Sequence, residues 1–567
     1  MRRSLSVGMG CVVLIVCTVC PSYARDVELA LDLDGWHRFE GPNFELYSDA
    51  PPAVAAEVLV ELERFRALFA RLAPGLDLRS PAPLRMIAFN GPRSFAPYKT
   101  RRDGGGTLLL GQFHRHPDAN YLLLDGRTRI GADYSVALHE LTHFFVTHNV
   151  PRAPLWLNEG LAEYYGTFTV EGDQAVVGRA IERHVDLLLL KNQVQDLDVL
   201  LETDGRTAAG HDPREVGQFY ALSWLLVHYL LSQPDGPDHT ADYIVRLSDG
   251  EDGESAFETS FGLSLREMEQ ELRLYVARGE FPRAALPVVD LEPGRVTVGA
   301  ARPADVLCLL GDFVLHVGAV DYAAAHYRRA LELDPSHAVA HGGLATVRDL
   351  HGSWQESELL FRDAHRLGVA DPLTFVRYAR HSLSYPNQES DGFASGASKP
   401  WLEATSRARN VLDRAVRAEP HYAVAYQLLA ASHLGPGGDP SDGLDAALVA
   451  QRIQPIALLP RLLEVRLRLE LAEDVRRGGG QTDLAVSRIA DLGAFGAPQE
   501  TVVDLELRVD VARWLRRSVL ALARGEVEEG LSALDHAVSA AADPDQRRRL
   551  EARLLRLRGS LASDSGS

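Results

Sequence analysis

Lysine, cysteine and methionine are scarce in this chain of 567 residues. Lysine occurs only at Lys99, Lys191 and Lys399, so arginine supplies the remaining positive charge. Three of the four cysteines lie before residue 24, which leaves Cys308 alone beyond it. One thiol cannot close an internal disulfide, which excludes a disulfide-stapled scaffold. In its apolar VLCLL setting, Cys308 reads as a buried, inert thiol rather than a nucleophile. Positive charge is the minority sign, at a net −19 that becomes about −21 without Arg2 and Arg3. A surface so acidic excludes general nucleic-acid binding and attraction to anionic membranes. Beyond the first residues there is no apolar run approaching the ~20 needed to cross a bilayer.

The N-terminus carries what the rest lacks. Arg2 and Arg3 precede an apolar run from about Val7 to Cys20, and Ser22-Tyr23-Ala24 offers a small-x-Ala cleavage site. Residues 1–24 therefore read as a secretory signal peptide. A lipoprotein signal at Cys17 or Cys20 is disfavoured, because Val16 and Val19 precede them where a small residue is wanted. The expectation is a periplasmic or secreted protein with no membrane span after cleavage. The arginine-for-lysine bias, which suggests a GC-rich genome, agrees with a bacterial source.

The richest segment is His139-Glu140-Leu141-Thr142-His143, followed by Glu159 in Trp156-Leu157-Asn158-Glu159-Gly160. Residues four apart on a helix project from one face, so His139 and His143 can reach one metal ion. Glu140 between them can take a proton from water at that metal. A catalytic zinc site typically holds three protein ligands, and Glu159, returning on a second helix after a turn at Pro151 and Pro154, is the candidate third. The alternative, a solvated helix, fits poorly with Val136, Ala137, Leu138, Leu141, Phe144, Phe145 and Val146, which make the segment largely apolar. Glu163, one turn beyond Glu159, is placed to hold a ligand histidine through its other ring nitrogen. His114 and His116 fall near an expected edge strand, either in a solvated turn or lining a groove, and His148 is expected to end the helix.

ALHELTHFFV and PLWLNEGLAEY together resemble the gluzincin metallopeptidases, specifically the peptidase MA-like relatives of aminopeptidase N. FELYSDAPP resembles the opening strand of those domains, and GQFYALSWLLVHYLL resembles the helix bearing their transition-state tyrosine, which falls on Tyr220. The resemblance, over residues 36–280, implies one Zn2+ per chain on His139, His143 and Glu159, with Glu140 and Tyr220 catalytic. Tyr164, Tyr165 and His228 are substitutes for Tyr220. Two departures stand out. The spacer from His143 to Glu159 is fifteen residues, shorter than in aminopeptidase N. No GAMEN-like segment precedes the helix, where residues 104–110 read GGGTLLL. That loss favours an endopeptidase over an enzyme that grips a free amino terminus.

Strand-like runs (FELYSDA, LRMIAF, TLLLGQF, NYLLLDG) precede helical patterns up to about residue 280. A Pro/Gly-bearing stretch, 281–303, then reads as a linker. Beyond it, Leu310, Gly311, Gly318, Ala323, Tyr327, Ala330 and Pro335 fall at tetratricopeptide-repeat offsets. Leu344, Ala345, Gly352, Ser357, Phe361 and Ala364 repeat them 34 residues on. Further copies run through Ala408, Leu412, Ala415 and Pro420, through Tyr426, Leu429 and Ala430, and more weakly through Gly525, Gly530, Leu534 and Ala537. A polar insertion near Ser384–Lys399 and the glycines 478–480 break the register. The fold expected is thus an α+β zincin-like metallopeptidase domain over 25–280, followed by an all-α tetratricopeptide-repeat solenoid over 304–567. The function expected is an exported zinc peptidase acting on a peptide or protein substrate, with a protein partner or substrate recruited by the repeats. The alternative is a repeat-based binding or assembly protein whose zincin fold is vestigial.

Overall fold

The computed structural model describes residues 32–74, 76–99, 111–125, 135–150, 153–191, 194, 197–203, 213–384, 399–434, 437–473 and 480–564. The signal segment, the GGGTLLL stretch, Pro151 and the centre of the polar insertion lie outside them. The described parts of 35–99, 103–300 and 370–567 gather into one compact unit, and 301–369 belong to a second.

The first unit contains a mixed sheet built from β1 (His37–Glu40), β2 (Glu45–Ser48), β3 (Leu84–Phe89), β4 (Gly111–His114), β5 (Asn120–Asp125) and β9 (Thr297–Ala300). Its order is β4-β5-β3-β2-β1-β9. The central β2-β3-β5 pairs are parallel, while β4 runs antiparallel to β5 at one margin. Parallel neighbours need crossovers. Between β2 and β3 the crossover is α1 (Pro52–Leu72), whose buried Ala55, Val58, Leu59, Leu62, Phe65 and Leu68 recur at helical spacing against the core. A second, three-stranded antiparallel sheet joins β6 (Thr169–Glu171), β7 (Gln174–Val177) and β8 (Ala284–Pro287).

β8 and β9 lie inside the stretch expected to be a linker. Each is four residues long and at the margin of its sheet, so 281–303 is folded into both sheets rather than strung between domains. Around the sheets pack α2 (Ser135–Asn149), α3 (Leu155–Tyr165), α4 (Glu182–Lys191), α5 (Leu197–Glu202), α6 (Pro213–Ser232), α7 (Gly236–Ser248), α8 (Gly253–Phe261) and α9 (Leu265–Arg278). The last shows local sequence fixing its ends. Ser264 and Glu267 form a reciprocal capping box, and Gly279 closes the helix at φ +67°.

Residues 303–366 form two helix pairs, α10 (Pro303–His316) with α11 (Val320–Leu333) and α12 (Ala338–Leu350) with α13 (Trp354–Arg366). Tyr327 fills the space between neighbours. A Cβ on Gly343 would lie 2.2 Å from its ring, and its hydroxyl donates to Asp312 at 2.8 Å. The later helices are α14 (Pro372–Ser384), α15 (Lys399–Ala418), α16 (Ala423–Ser432), α17 (Pro440–Ile453), α18 (Leu458–Glu473), α19 (Gln481–Leu492), α20 (Gln499–Ala523), α21 (Val527–Ala540) and α22 (Pro544–Asp564). The second half of the chain is therefore an all-α array of paired helices. Its part from α14 onward shares a compact unit with the sheets, which differs from a solenoid domain running from 304 to the end.

Partly buried ion pairs join α14–α16 to the sheet. Arg380 donates through both terminal nitrogens to Asp118 in the β4–β5 turn, and Tyr422 donates to the Asp118 carbonyl at 2.6 Å. Arg85 on β3 donates to Asp371 at 2.6 Å, and the other Asp371 oxygen accepts from Thr374 at the start of α14. The Ala423 amide donates to the Pro81 carbonyl at 2.9 Å. Burial alone would raise both aspartates, but Arg380 and Arg85 outweigh it and hold both below the usual carboxylate range.

Candidate metal centre

The amphipathic pattern of α2 dictates which residues face inward. Ala137, Leu138, Leu141, Phe144 and Phe145 are buried in the core, while His139, Glu140, His143 and Thr147 are half-buried on the other side. The helix ends at Asn149, whose amide donates to the carbonyls of Phe145 and Asp77 at 2.8 Å each. Pro154 at φ −53° then starts α3. There Trp156 and Leu157 enter the core, and Gly160 lies where α3 crosses α6. A Cβ at Gly160 would lie 2.4 Å from the Ser223 carbonyl oxygen, so only glycine permits this approach.

That crossing leaves Glu159 facing α2. The ligand atoms of His139, His143 and Glu159 all lie within 4.8 Å of one another. The two Nε2 atoms are 3.0 Å apart, and Glu159 Oε2 is 3.4 Å from His139 Nε2 and 3.2 Å from His143 Nε2. A tetrahedral ion with bonds of about 2.0–2.1 Å has ligand-to-ligand edges of roughly 3.3–3.4 Å. The donor set thus fits zinc in both chemistry and spacing. Glu159 Oε2 is buried against the two imidazole nitrogens, in contacts too poorly aligned to make full hydrogen bonds, and a shared cation would satisfy all three atoms better. Burial would raise Glu159, but contact with His139 and His143 and their charge hold it down at about 2. Burial opposes charge on His143, yet Glu159 beside it raises its pKa.

Glu163 stands behind this triangle. Its Oε1 is 3.8 Å from His139 Nδ1, and its Oε2 accepts from His184 Nε2 at 3.2 Å. Arg183 lies 3.5 Å from the same oxygen. Burial would raise Glu163, but the His184 hydrogen bond and the neighbouring charges lower it. Glu163 therefore faces the outer nitrogen of His139 rather than the triangle itself. His184, 5% exposed and packed on Trp224, was not evident in the sequence.

Glu140 is half-buried on α2, and its charge acts on both His143 and Arg115. Tyr220 is half-buried on α6, one turn before the Ser223 crossing, with its ring 5.9 Å from Phe219. The substitutes for it are spent elsewhere. His228 is fully buried between the Gly178 carbonyl at 2.8 Å and the Tyr275 hydroxyl at 2.9 Å. Tyr164 and Tyr165 are buried in the core, which pushes Tyr164 up to about 12. His114 ends β4, where burial lowers it to about 4, and His116 faces Asp118 at 3.9 Å. The side chain of His148 lies outside the described residues.

Of the residues that sequence reasoning missed, Gly160 sat in view within WLNEG, and a glycine inside a helix signals a close crossing. His184 and Asn149 left no such trace.

The chain matches no protein-family model and no curated protein. Among solved structures it is similar to YrrB, described as a TPR protein with an unusual peptide-binding site. That likeness has 17% identity and a TM-score of 0.28, over 36% of this chain and 91% of that one. It is also similar to pilF of Pseudomonas aeruginosa, at 16% identity and a TM-score of 0.29, over 44% of this chain and 97% of that one. A tetratricopeptide repeat protein from Parabacteroides merdae aligns at 11% identity and a TM-score of 0.23, over 56% and 98%. The first and third of these are described as tetratricopeptide-repeat proteins. At such scores they add no argument of their own, and the repeat character rests on the helix pairs themselves.

Proposed function

We propose that the chain is a zinc-dependent hydrolase of the gluzincin type, acting as an exported endopeptidase, with His139, His143 and Glu159 holding the metal. The observation that carries this reading is the triangle of three donor atoms 3.0–3.4 Å apart, one corner of which is the buried Glu159 Oε2. Bound zinc supplies a Lewis acid and makes water acidic enough to attack near neutral pH. Glu140 accepts the proton of the attacking water and returns it to the leaving amine, a step worth about 10²–10⁴ in rate. Tyr220 donates a hydrogen bond to the oxyanion. Among the described residues β4 is the outer strand of its sheet, so an extended peptide can pair along its free side. Glu163 and His184 orient the His139 ring.

The test is metal analysis of the purified full chain, with cleavage profiling on N-acetylated peptides. About one zinc per chain and cleavage of blocked peptides are expected. Glu140→Gln keeps zinc and loses hydrolysis, whereas Glu159→Gln loses zinc far more readily than Glu163→Gln. A zinc-free wild-type protein defeats the reading, and cleavage confined to free amino termini defeats its endopeptidase part.

A second reading rests on the paired helices of the second half. Here the helix pairs bind a peptide or protein partner, and the metal site is a structural platform. Glu140→Gln then changes nothing that can be measured, while partner capture depends on the helical half.

A further inference from the structure

Arg115 leaves β4 directly after His114 and crosses to α2, where its Nη2 donates to Thr147 Oγ1 at 3.2 Å. Thr147 lies one turn beyond His143 and two beyond Glu140, so the three share a face of the helix. The Thr147 contact therefore sets the guanidinium one turn along the helix from His143, on the face that also carries Glu140. An arginine remains charged under all ordinary conditions and offers five N–H donors, of which this contact uses one.

In a chain with 78 acidic and 59 basic residues, an arginine usually finds a carboxylate. Arg85 has Asp371, Arg380 has Asp118 and Arg64 has both Glu61 and Glu292. Among the described residues no carboxylate forms an ion pair with Arg115. The nearest in sequence, Asp118 in the same turn, is taken by both terminal nitrogens of Arg380, while Tyr422 holds its carbonyl. The turn is thus fixed by helices of the array, and its one solvent-accessible cation lies over the metal-binding face of α2.

We infer that Arg115 is a specificity residue that selects substrates carrying a carboxylate close to the scissile bond. The inference rests on the hydrolase reading for the reaction but on Arg115 alone for the recognition. The carboxylate comes from an Asp or Glu side chain or from a free C-terminus, and the two are separable. Had Arg115 served only to balance Glu140, its loss would affect all substrates alike.

The experiment uses the full chain loaded with zinc and pairs of N-acetylated, C-amidated peptides that differ only by Glu or Gln at one position, scanned across the cleaved bond. A parallel arm carries Gln throughout and a free C-terminus. The Glu member of one pair, or the free-C-terminus peptide, is expected to show a KM about tenfold lower than its neutral partner, as a charge-assisted arginine pair gives. Arg115→Gln removes that preference and Arg115→Lys retains part of it. Arg115→Glu reverses it in favour of Lys-bearing peptides, with zinc content unchanged in all three. Equal KM for both members in the wild type, or an equal loss on both in Arg115→Gln, overturns the inference while leaving the hydrolase reading intact. If no peptide is cleaved, the hydrolase reading fails instead. Calorimetric binding of the same pairs to wild type and Arg115→Gln then decides: tighter binding of the carboxylate member, lost in the variant, supports the inference, and identical binding overturns it.

Discussion

Two clusters of buried charge lie in the same compact unit and have opposite characters. Where α14–α16 meet the sheet, each buried carboxylate has a fixed opposite charge: Asp118 has Arg380, and Asp371 has Arg85 with Thr374 closing its other oxygen. Where α2 meets α3, a buried carboxylate oxygen has no arginine or lysine opposite it among the described residues and faces two imidazole nitrogens at 3.2 and 3.4 Å. The first cluster is complete as it stands and can only hold the structure together. The second brings three donors of the kinds that bind zinc to within 4.8 Å of one another, an arrangement a cation would hold together. The contrast distinguishes a closed structural cluster from a candidate metal site without reference to any relative.

The largest effect expected from breaking the contrast is at the closed cluster. Asp118→Ala leaves Arg380 without its partner and Tyr422 over a disturbed turn, and should cost about 1.5–3 kcal/mol in denaturant unfolding. By comparison, Arg329→Ala, which breaks an exposed pair with Glu332 within the regular repeats, should change stability by at most about 0.5 kcal/mol. Acid should act on the closed cluster in the same direction as the mutation. Asp118 and Asp371 are held below their unfolded pKa, so their contribution is complete above that unfolded value and is lost as pH falls through the folded one. Stability monitored by tryptophan fluorescence should therefore be insensitive to this cluster at neutral pH and fall only in strong acid. An early loss between pH 7 and 5 would mean that other groups carry the junction.

The open cluster should respond to metal instead. Zinc at about 100 times its Kd should stabilise the wild type by about 2.7 kcal/mol, because it binds the folded chain alone. Glu159→Gln should lose most of that increment while unfolding normally without metal. If the variant gains as much from zinc as the wild type does, Glu159 is not a ligand.

How far these clusters were visible in the sequence follows from distance along the chain. His139, Glu140 and His143 lie within one helical turn, and Glu159 follows in a segment short enough for two helices and a turn, so their convergence was legible. The strands LRMIAF and NYLLLDG and the repeat period of 34 were legible for the same local reason. The closed cluster was not, because Asp118 and Arg380 are 262 residues apart and Asp118 and Tyr422 are 304 apart. No periodicity encodes such a pairing. β9 was hidden differently: all four of its residues are exposed, so it shows none of the alternation that burial imposes on a strand.

The smallest effect tests how far the open cluster extends. His184 touches neither donor atom nor ion. It donates to Glu163, which in turn faces His139 Nδ1, so its influence is two contacts removed from the metal. Loss of a residue that directly orients a ligand typically costs 10–100-fold in metal affinity. Glu163→Gln should fall in that range, and His184→Ala should fall below it, at most about tenfold, because Arg183 still lies near the carboxylate. His184 is buried against Trp224, so the alanine also opens a cavity, and stability without metal must be measured beside affinity. His184→Gln keeps both bulk and a donor and should bind zinc nearly as the wild type does. Competition with a chelator ranks the three. If His184→Ala binds zinc as tightly as the wild type, the open cluster ends at Glu163. If it loses as much affinity as Glu159→Gln, His184 holds the metal-binding geometry directly, and the boundary between bound and supporting groups must be redrawn.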